Sequence, residues 1–276
     1  MRFHFDIKKF FVYFFLILGA LIMIFPFYWM IVNSLKTAQD MTAYPPTWVP
    51  SNWFNFDNYI EAFNKAPFGI YFINSVIVTI SCVIITTFTT ILGAFAFSRL
   101  KFKGRDLIFS LMLGLMMVPF EMLVITNYTT VAKLGLIDTL AVLILPFTSS
   151  IFYTYILRNF FLSIPDSLYY SARIDGASNW KYLWRIMVPI AKPSLMTITL
   201  LNAITCWNSF FWTLLVINND VNRTLPYGLY AFMTEGGSDT KLMMAAATFT
   251  VLPMIILFLF ARKYIVNGVA RGGLKG

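Results

Sequence analysis

The sequence predicts an all-α membrane protein with six transmembrane helices. The chain of 276 residues is 59% hydrophobic and only 12% charged, whereas a soluble domain carries about 25% charged residues. Its mean hydropathy is +0.73, and six stretches are apolar over roughly the 20 residues that a transmembrane helix needs. This composition excludes an ordinary soluble enzyme, and it equally excludes a disordered chain, which would be polar.

Six spans are predicted within one transmembrane domain over residues 1–276. The first follows a basic tail, but its apolar run is too long for a signal peptide and no small-residue cleavage site follows it, so we expect a retained helix. The third contains one charged residue, Glu121, which follows Pro119 near an expected helix break. The spans cover residues 11–33, 69–98, 107–131, 139–158, 193–217 and 242–264.

Sixteen of the 21 basic residues fall on alternate polar segments, which include both termini. Cytoplasmic loops of membrane proteins are enriched in Lys and Arg. The net charge of +9 therefore indicates topology, with both termini in the cytoplasm, and six spans satisfy that arrangement. The sixteen are Arg2, Lys8, Lys9, Arg99, Lys101, Lys103, Arg105, Arg158, Arg173, Lys181, Arg185, Lys192, Arg262, Lys263, Arg271 and Lys275.

The sequence contains no motif for catalysis or nucleotide binding. It has no Gly-x-x-x-x-Gly-Lys-Ser/Thr run for ATP and no Gly-x-Ser-x-Gly nucleophile motif. The one histidine, His4, lies in the amino-terminal tail, and no cluster of residues suits a metal ion. Cys82 and Cys206 lie deep in apolar runs and are expected to be small buried side chains. We therefore expect neither catalysis nor ATP hydrolysis, and no cofactor, in this chain.

The longest polar segment on the predicted cytoplasmic side, residues 163–190, is typical of two short helices. Pro165 suits a first helical turn, with Ser163 as its cap. Gly176 can take positive φ and end that helix, and Ser178 can cap a second one. From the residues alone, a pair of interfacial helices whose Lys and Arg reach lipid headgroups explains the segment as well as a specific function does.

Residues 173–178 read Arg-Ile-Asp-Gly-Ala-Ser and are followed by Val188-Pro189. This pattern resembles the coupling loop of ABC importer permeases, whose Glu-Ala-Ala motif is followed by Ile-Asp-Gly-Ala and then by a Leu-Pro or similar pair. Further matches run in order along nearly the whole chain, and together they resemble the maltose-permease second-subunit branch of the carbohydrate importers. These matches are Pro45–Pro50 with Asn58-Tyr59, Lys133–Thr139, Trp207-Asn208, Thr224–Leu229 and Gly272–Gly276.

The resemblance implies a type I ABC importer permease fold with a cytoplasmic coupling helix. It implies a permease subunit that moves a sugar, expected to be an oligosaccharide, across the cytoplasmic membrane of a prokaryote. The implied partners are a second homologous permease, a dimer of ATPase subunits, an extracytoplasmic sugar-binding protein and membrane lipid, with no nucleic acid. ATP and Mg would be bound by the ATPase.

The resemblance also places the contact with the ATPase on eight consecutive residues. The Glu-Ala-Ala motif falls on Tyr170–Ala172, so this chain lacks the acid that would pair with a basic residue of the ATPase. The eight residues are Tyr170, Ser171, Ala172, Arg173, Ile174, Asp175, Gly176 and Ala177.

Without that acid, we expect docking to depend on shape and on Ala172, Ile174 and Gly176. Arg173 and Asp175 would be polar contacts to the partner or partners within the loop. A turn that bonds only its own backbone remains the alternative for Asp175.

Sugars are bound by aromatic faces and by amides and hydroxyls, and the fifth predicted span carries such side chains. Thr205 and Asn208 lie three residues apart on one helical face, with Asn202 in the turn before. The resemblance implies that the positions at which the partner permease subunit of the family contacts the sugar fall on this same stretch. Polar contacts between spans are the alternative. The predicted pathway residues are Asn202, Thr205, Trp207, Asn208, Glu121 and Asn127.

Two of these pathway residues lie outside the fifth span and have their own alternatives. A carboxylate inside the membrane is costly and usually faces a cavity or a partner. For Glu121, a structural hydrogen bond near Pro119 or an interfacial position remains open. Asn127 lies beside Tyr128, and an interfacial aromatic belt is the alternative for both.

The last outer loop, residues 219–239, is the predicted contact with a substrate-binding protein, with an ordinary connector as the alternative. Its contact residues are Glu235, Gly236, Gly237 and Ser238. The basic tail 271–276 would approach the ATPase or lie frayed against lipid. A permease for another polar solute and an ion-coupled secondary transporter remain alternative functions; the latter would need carboxylates in paired repeats, of which only Glu121 is present.

Overall fold

The computed structural model describes residues 7–234 and 237–272, and these are almost entirely helical. The predicted all-α class is confirmed. The helices are α1 (Ile7–Leu35), α2 (Ala38–Thr42), α3 (Asp57–Lys65), α4 (Phe68–Arg99), α5 (Arg105–Leu115), α6 (Phe120–Lys133), α7 (Leu140–Ile144), α8 (Ile151–Leu162), α9 (Asp166–Ile174), α10 (Asn179–Tyr182), α11 (Val188–Ile190), α12 (Lys192–Trp207), α13 (Phe211–Val216), α14 (Leu225–Gly228) and α15 (Thr240–Gly272).

Short irregular elements connect several of these helices. Segments of 3-10 helix cover Leu145–Phe147, Asp220–Asn222 and Leu229–Phe232, and a π-helical segment covers Leu183–Met187. The strands of the described residues, β1 (Met233–Thr234) and β2 (Gly237–Ser238), are antiparallel, with Thr234 opposite Gly237.

Three helices in the described part of the chain are single segments long and apolar enough to cross a membrane. They are Ile7–Leu35, Phe68–Arg99 and Thr240–Arg262. They correspond to the first, second and sixth predicted spans. Residues 107–131, 139–158 and 193–217, the other three predicted spans, each contain a break in the helix, and a break near Pro119 is expected from the sequence.

Bent helix pairs replace the missing continuous spans. α5 and α6 meet at 98°, Leu140–Phe147 meets α8 at 42°, and Asn179–Ile190 meets α12 at 80°. Counting each pair as one span gives up to six, which agrees with the predicted number. The predicted fifth span stops at Trp207 and resumes only as α13, and no proline or glycine explains that interruption.

Prolines account for the bends. Pro119 precedes α6 and lacks the N–H that a continuous helix would need, while its ring also restricts the preceding residue. Pro146 lies in the 3-10 segment before α8, whose start is capped by Ser150. Pro193 lies in the first turn of α12, where a missing N–H is tolerated.

The residues divide into two compact units. The first comprises Met1–Phe68 and Gly228–Leu252, and the second comprises Gly69–Tyr227 and Pro253–Gly276. The expectation of one permease domain over residues 1–276 stays a prediction.

In the first unit, the segment after α1, residues 36–65, folds back on the end of α1. Asn58 of α3 donates from Nδ2 to the carbonyl oxygens of Ser34 at 2.9 Å and Lys36 at 2.8 Å. The Lys36 ammonium donates to the Thr47 carbonyl oxygen at 2.7 Å. The loop is therefore a folded element held by buried polar groups.

In the second unit, a buried core lies beneath α9. Its largest fully buried side chains are Tyr182, Phe161, Leu157, Leu183 and Met187. These residues come from α8, α10 and the π-helical segment, so the predicted coupling loop is packed against the chain rather than projecting alone from it.

Threonines along α4 hold the broken pair formed by α7 and α8. Thr86 donates from Oγ1 to the carbonyl oxygen of Phe147 at 2.7 Å, and Thr89 donates to that of Thr148 at 2.7 Å. Both carbonyls lie at the bend around Pro146, where the helical hydrogen-bond ladder is interrupted. Since lipid offers no donors, the α4 hydroxyls satisfy backbone groups that the bend leaves free.

Candidate functional site

The predicted coupling loop, residues 163–190, forms a helix, a turn and a second helix as the sequence predicts. α9 ends at Ile174, and Gly176 has φ +75°, which glycine adopts without strain. The Ala177 N–H donates to the Ala172 carbonyl oxygen at 2.9 Å and closes the turn. The chain thus presents a short helix with a sharply defined end.

One predicted cap of this loop is present and the other is not. Ser178 accepts from the Lys181 N–H at 3.2 Å and starts α10. Ser163 does not cap α9: it lies just past α8, and its hydroxyl donates back to the Phe160 carbonyl oxygen at 2.7 Å. The last carbonyl oxygens of a helix have no partner within that helix and accept from such a donor. Ser163 therefore bonds to the end of α8 instead of capping the start of α9.

The side chains of the loop divide into a buried and an exposed set. Ala172 and Ala177 are each 7% exposed and belong to the core of the second unit. Tyr170 is 56% exposed and Ile174 is 86% exposed. Ala172 therefore fixes α9 from inside, contrary to the expected docking contact. The remaining predicted coupling residues, all exposed, are Ser171, Arg173, Asp175 and Gly176.

Arg99, the last residue of α4, fastens α8 and α9 to α4. Its Nη2 donates to the carbonyl oxygens of Phe161, at 2.7 Å, and of Ile164, and its Nη1 pairs with the Asp166 carboxylate. The Arg99 side chain is only 5% exposed. The planar guanidinium carries five donors in a fixed arrangement, which suits three acceptors at once. The sequence identified Arg99 only as one of many basic residues.

A second arginine joins the neighbouring helices. Arg158 of α8 donates from Nε to the Phe97 carbonyl oxygen at 3.0 Å, and its guanidinium lies 4.3 Å from the ring centroid of Phe109. Basic residues that the charge distribution assigned to topology thus also connect helices.

Polar contacts within the loop keep the turn closed. Arg173 donates from Nη1 to the Ala177 carbonyl oxygen at 3.1 Å, so it acts as a partner within the loop, one of its two expected roles. The Tyr169 hydroxyl donates to Asn179 Oδ1 at 3.0 Å, and its ring lies 5.1 Å from that of Tyr182. These contacts bind α9 to α10.

The predicted pathway residues at the end of α12 point in two directions. Asn202 and Trp207 are buried, at 5% and 4% exposure. Within the described residues Asn202 Nδ2 has no hydrogen-bond partner. Thr205 and Asn208 are exposed, and Asn208 lies just past the helix end. Only Thr205 and Asn208 therefore face outward from this chain.

The other two predicted pathway residues lie on α6. Glu121 is exposed in the first turn of α6, where the positive end of the helix dipole favours an acid. Asn127 is half-buried two turns further along. No hydrogen bond in the described part of the chain joins either of them to α12.

A small cavity of about 60 Å³ lies behind Thr205. It can hold about two water molecules and is too small for a sugar ring. Its lining consists of Val78, Leu143, Phe147, Thr205, Cys206, Ser209, Thr213 and Thr224.

Asp138, between α6 and α7, organises a turn formed by residues 217–225. It has φ +62°, which Asp tolerates better than most residues. Its Oδ1 accepts from the N–H groups of Asn219, at 2.9 Å, and Asn218. These backbone hydrogen bonds hold the pKa of the Asp138 carboxyl below its usual value. The sequence resemblance included Asp138 but gave it no role.

The same turn is bound by the opposite end of α4 from Arg99. Asn74 donates from Nδ2 to the carbonyl oxygens of Val221 at 2.7 Å and Arg223 at 2.9 Å. Ser75 Oγ accepts from the Leu225 N–H at 2.8 Å. α4 therefore contacts the coupling helix at one end and the 217–225 turn at the other.

The predicted contact with a substrate-binding protein is only partly visible. Gly237 and Ser238 form β2, whereas Glu235 and Gly236 lie outside the described residues. In the carboxyl tail, Gly273–Gly276 also lie outside them.

Similarity to known proteins extends over nearly the whole chain. A family model described as binding-protein-dependent transport system inner membrane component matches residues 89–271. The probable ABC transporter permease protein YurM of Bacillus subtilis is 35% identical over 268 residues, which cover 96% of this chain and 88% of that protein. The arabinooligosaccharides transport system permease protein AraQ of Bacillus subtilis is 31% identical over 264 residues, covering 95% and 94%.

A solved structure has the same fold. It is the crystal structure of a bacterial ABC transporter involved in the import of the acidic polysaccharide alginate. The superposition has a TM-score of 0.82 with 24% sequence identity, and it covers 96% of this chain and 99% of that chain.

Proposed function

The chain belongs to the family of binding-protein-dependent transport system inner membrane components, and from that membership we propose that it is a permease subunit of an ATP-driven oligosaccharide importer. The observation that carries the proposal is the near full-length similarity to a permease named for arabinooligosaccharides. The importer would move its sugar across the cytoplasmic membrane of a prokaryote.

In this proposal the chain has no ATPase site of its own. ATP and Mg are bound by a separate ATPase dimer, which docks on α9 and the turn after it. The exposed Tyr170 and Ile174 support this assignment, because they lie four residues apart on one face of α9 and offer two large side chains for a partner to cover. Asp175 and Gly176 complete the docking surface at the end of the helix.

Movement of α9 reaches the far side of the membrane through α4. Arg99 fastens one end of α4 to Asp166 and the end of α8, and Asn74 fastens its other end to the 217–225 turn. The 32 residues of α4 span roughly 48 Å at 1.5 Å per residue. A shift of the coupling helix would therefore be transmitted along a single continuous helix.

The sugar pathway would be shared with a second homologous permease. Thr205 and Asn208 offer a hydroxyl and an amide on an exposed face, while Asn202 and Trp207 support that face from inside. Glu121 and Asn127 would lie along the same pathway in the assembled importer. Because the cavity beside Thr205 holds only about two waters, most of the sugar would be enclosed by the second subunit.

Both termini would face the cytoplasm, since the basic residues concentrate on that side. An extracytoplasmic sugar-binding protein would then contact Glu235, Gly236, Gly237 and Ser238. Lipid surrounds the spans, and no nucleic acid takes part.

Sugar uptake in a strain that lacks this chain tests the proposal. Labelled arabinooligosaccharides and a panel of other oligosaccharides are supplied, with labelled amino acids and peptides as comparison solutes. We expect uptake of one class of oligosaccharide to be lost and to return when the chain is restored. Loss of uptake for a non-sugar solute, with all oligosaccharides still imported, would show that the importer serves another polar solute.

A further inference from the structure

A groove of about 500 Å³ runs beside the coupling helix and has a charge pattern that the proposed docking surface does not account for. One wall is formed by Arg99 at the end of α4, which is paired with Asp166, and by Leu100, Lys101 and Phe102 of the α4–α5 connection. The other wall is formed by Tyr169 and Tyr170 of α9 and by Asn179 of α10. Tyr170, one of the exposed residues of α9, lines the groove.

The groove offers hydrogen-bond donors without matching acceptors. Lys101 is exposed, and its ammonium has no ion pair or hydrogen bond to any described residue. The Tyr170 hydroxyl is likewise unbonded in that part of the chain. Asn179 Oδ1 already accepts from Tyr169, which leaves the Asn179 amide Nδ2 as a further donor.

No carboxylate among the described residues pairs with the Lys101 ammonium or accepts from the neighbouring donors. The lining contains no Asp or Glu. The neighbouring carboxylate, Asp166, is already paired with Arg99. An unpaired ammonium beside a hydroxyl and an amide donor fits a carboxylate, because hydrogen bonds between charged donors and acceptors are the stronger ones.

We propose that this groove receives an Asp or Glu side chain of the ATPase subunit, whose carboxylate pairs with Lys101 and accepts from the Tyr170 hydroxyl. The inference rests on the proposed function, since it takes the ATPase as the protein that covers α9. A protein partner is favoured over a lipid headgroup because Tyr170, which lines the groove, lies one helical turn before the exposed Ile174, so that one protein surface can cover both. In the coupling loops that this chain resembles, the permease supplies the acidic residue and the ATPase supplies the basic one. In the contact proposed here, the ATPase supplies the acidic residue and the permease supplies the basic one.

Carbodiimide cross-linking of the intact importer tests the contact directly. This reagent joins a lysine amine to a carboxylate only when the two touch, and it adds no spacer. The importer is purified through a tag on this chain, treated with the reagent and analysed by mass spectrometry. We expect a peptide that joins Lys101 to an Asp or Glu of the ATPase, and we expect it to vanish in Lys101→Gln.

The outcomes separate the two proposals. If the ATPase co-purifies but Lys101 forms no cross-link to it, the groove assignment is overturned while the proposed function stands. If no ATPase co-purifies with the chain, the proposed function itself fails and the groove assignment fails with it.

Charge reversal supplies a second measurement with a matched control. Lys101→Glu should weaken ATPase binding roughly fivefold or more, since it removes one exposed ion pair and adds a repulsion. Lys103→Glu, an exposed position two residues away that does not line the groove, should leave binding within twofold. Equal losses in both variants would overturn the proposal.

Changing the lipid around the complex tests the alternative that the groove binds an anionic lipid headgroup. Binding is compared in nanodiscs of phosphatidylcholine alone and of phosphatidylcholine with phosphatidylglycerol. The proposal expects the Lys101→Glu defect in both. A defect that appears only with phosphatidylglycerol would assign the groove to anionic headgroups and overturn the carboxylate contact.

Discussion

Arg99 Nη2 donates to the carbonyl oxygen of Phe161 at 2.7 Å, and this bond ties the end of α4 to the end of α8. The same side chain pairs with Asp166, the first residue of α9. Since Asn74 binds the 217–225 turn near the other end of α4, one helix links the two regions that an importer must move together.

Arg99→Lys should therefore uncouple transport. Lysine keeps the charge, but its donors radiate from a single nitrogen, whereas Arg99 reaches its acceptors from both Nη1 and Nη2, so lysine cannot reproduce this geometry. We expect sugar uptake to fall by about tenfold, consistent with losing one or two hydrogen bonds of a buried charged group. Uptake by the reconstituted importer is measured together with its rate of ATP hydrolysis.

Arg105→Lys is the matched control for that substitution. Arg105 is half-buried, pairs with the adjacent Asp106 and donates to the Leu100 carbonyl oxygen, and none of these contacts reaches α8 or α9, so transport should change less than twofold. Equal losses for Arg99→Lys and Arg105→Lys would argue against a linking role for Arg99.

Because Gly176 has a left-handed backbone conformation, transport should depend strongly on which residue stands at this position. A Cβ at this position meets no atom within 4 Å, so any penalty comes from the backbone conformation rather than from a clash. Gly176→Val should cost about 1–2 kcal/mol in the turn and abolish transport while leaving membrane insertion intact. Gly176→Asn should retain most activity, because Asn tolerates this conformation. Normal transport by the Val variant would contradict the coupling role.

Thr86→Val tests whether α4 holds the bend near Pro146. The substitution keeps the side-chain shape but leaves the Phe147 carbonyl oxygen without its 2.7 Å donor. We expect a loss of about 0.5–1 kcal/mol in stability, seen as a lower thermal midpoint of the purified importer. Thr129→Val is the control, because Thr129 is exposed and bonds only to its own helix. An unchanged midpoint for Thr86→Val would refute the bracing role.

Because the ionised Asp138 carboxylate holds the 217–225 turn, the fold should lose stability at acidic pH. Its carboxyl has a lowered pKa in the folded chain, whereas the unfolded value is about 3.9. A group with a lowered folded pKa stabilises the fold above the unfolded value, and that stabilisation is lost as the pH falls through the folded pKa. Asp138→Asn, which tolerates the same positive φ, should therefore lower the thermal midpoint at pH 6.

The difference between wild type and Asp138→Asn should shrink as the pH falls below about 4. Thermal unfolding of the two proteins between pH 6 and pH 3 measures it. A difference that is the same at every pH would mean that the ionised carboxylate is not what stabilises the 217–225 turn.

Asn208→Ala tests the proposed sugar pathway. Asn208 is exposed and lies past the end of α12, so its removal should raise the KM for the sugar roughly fivefold, the effect of losing one hydrogen bond. ATPase binding and thermal stability should not change. An unchanged KM would remove Asn208 from the pathway.

Much of the helical organisation follows from composition and local pattern. Apolar runs of the right length locate the single spans α1, α4 and α15, and Gly176 and Ser178 mark the turn and cap of the coupling loop through their own backbone chemistry. These features depend on residues close together in the sequence. They can be predicted because no distant contact is needed to specify them.

Other features depend on distant contacts, and the sequence pattern does not reveal them. Arg99 looks like any basic residue near a membrane surface until α8 and α9 place three acceptors around it. Thr86 and Thr89 are ordinary polar residues in an apolar helix until the bend at Pro146 offers free carbonyls. The burial of Ala172 likewise follows from packing against Tyr182 and its neighbours, not from the motif.

The most direct test of the account is sugar uptake by proteoliposomes that contain this chain. The complete importer, with its second permease and ATPase, should accumulate labelled oligosaccharide only when ATP is enclosed and the sugar-loaded binding protein is present outside. Vesicles with this chain alone should accumulate none. Uptake by the chain alone, driven by an ion gradient and independent of ATP, would contradict the account.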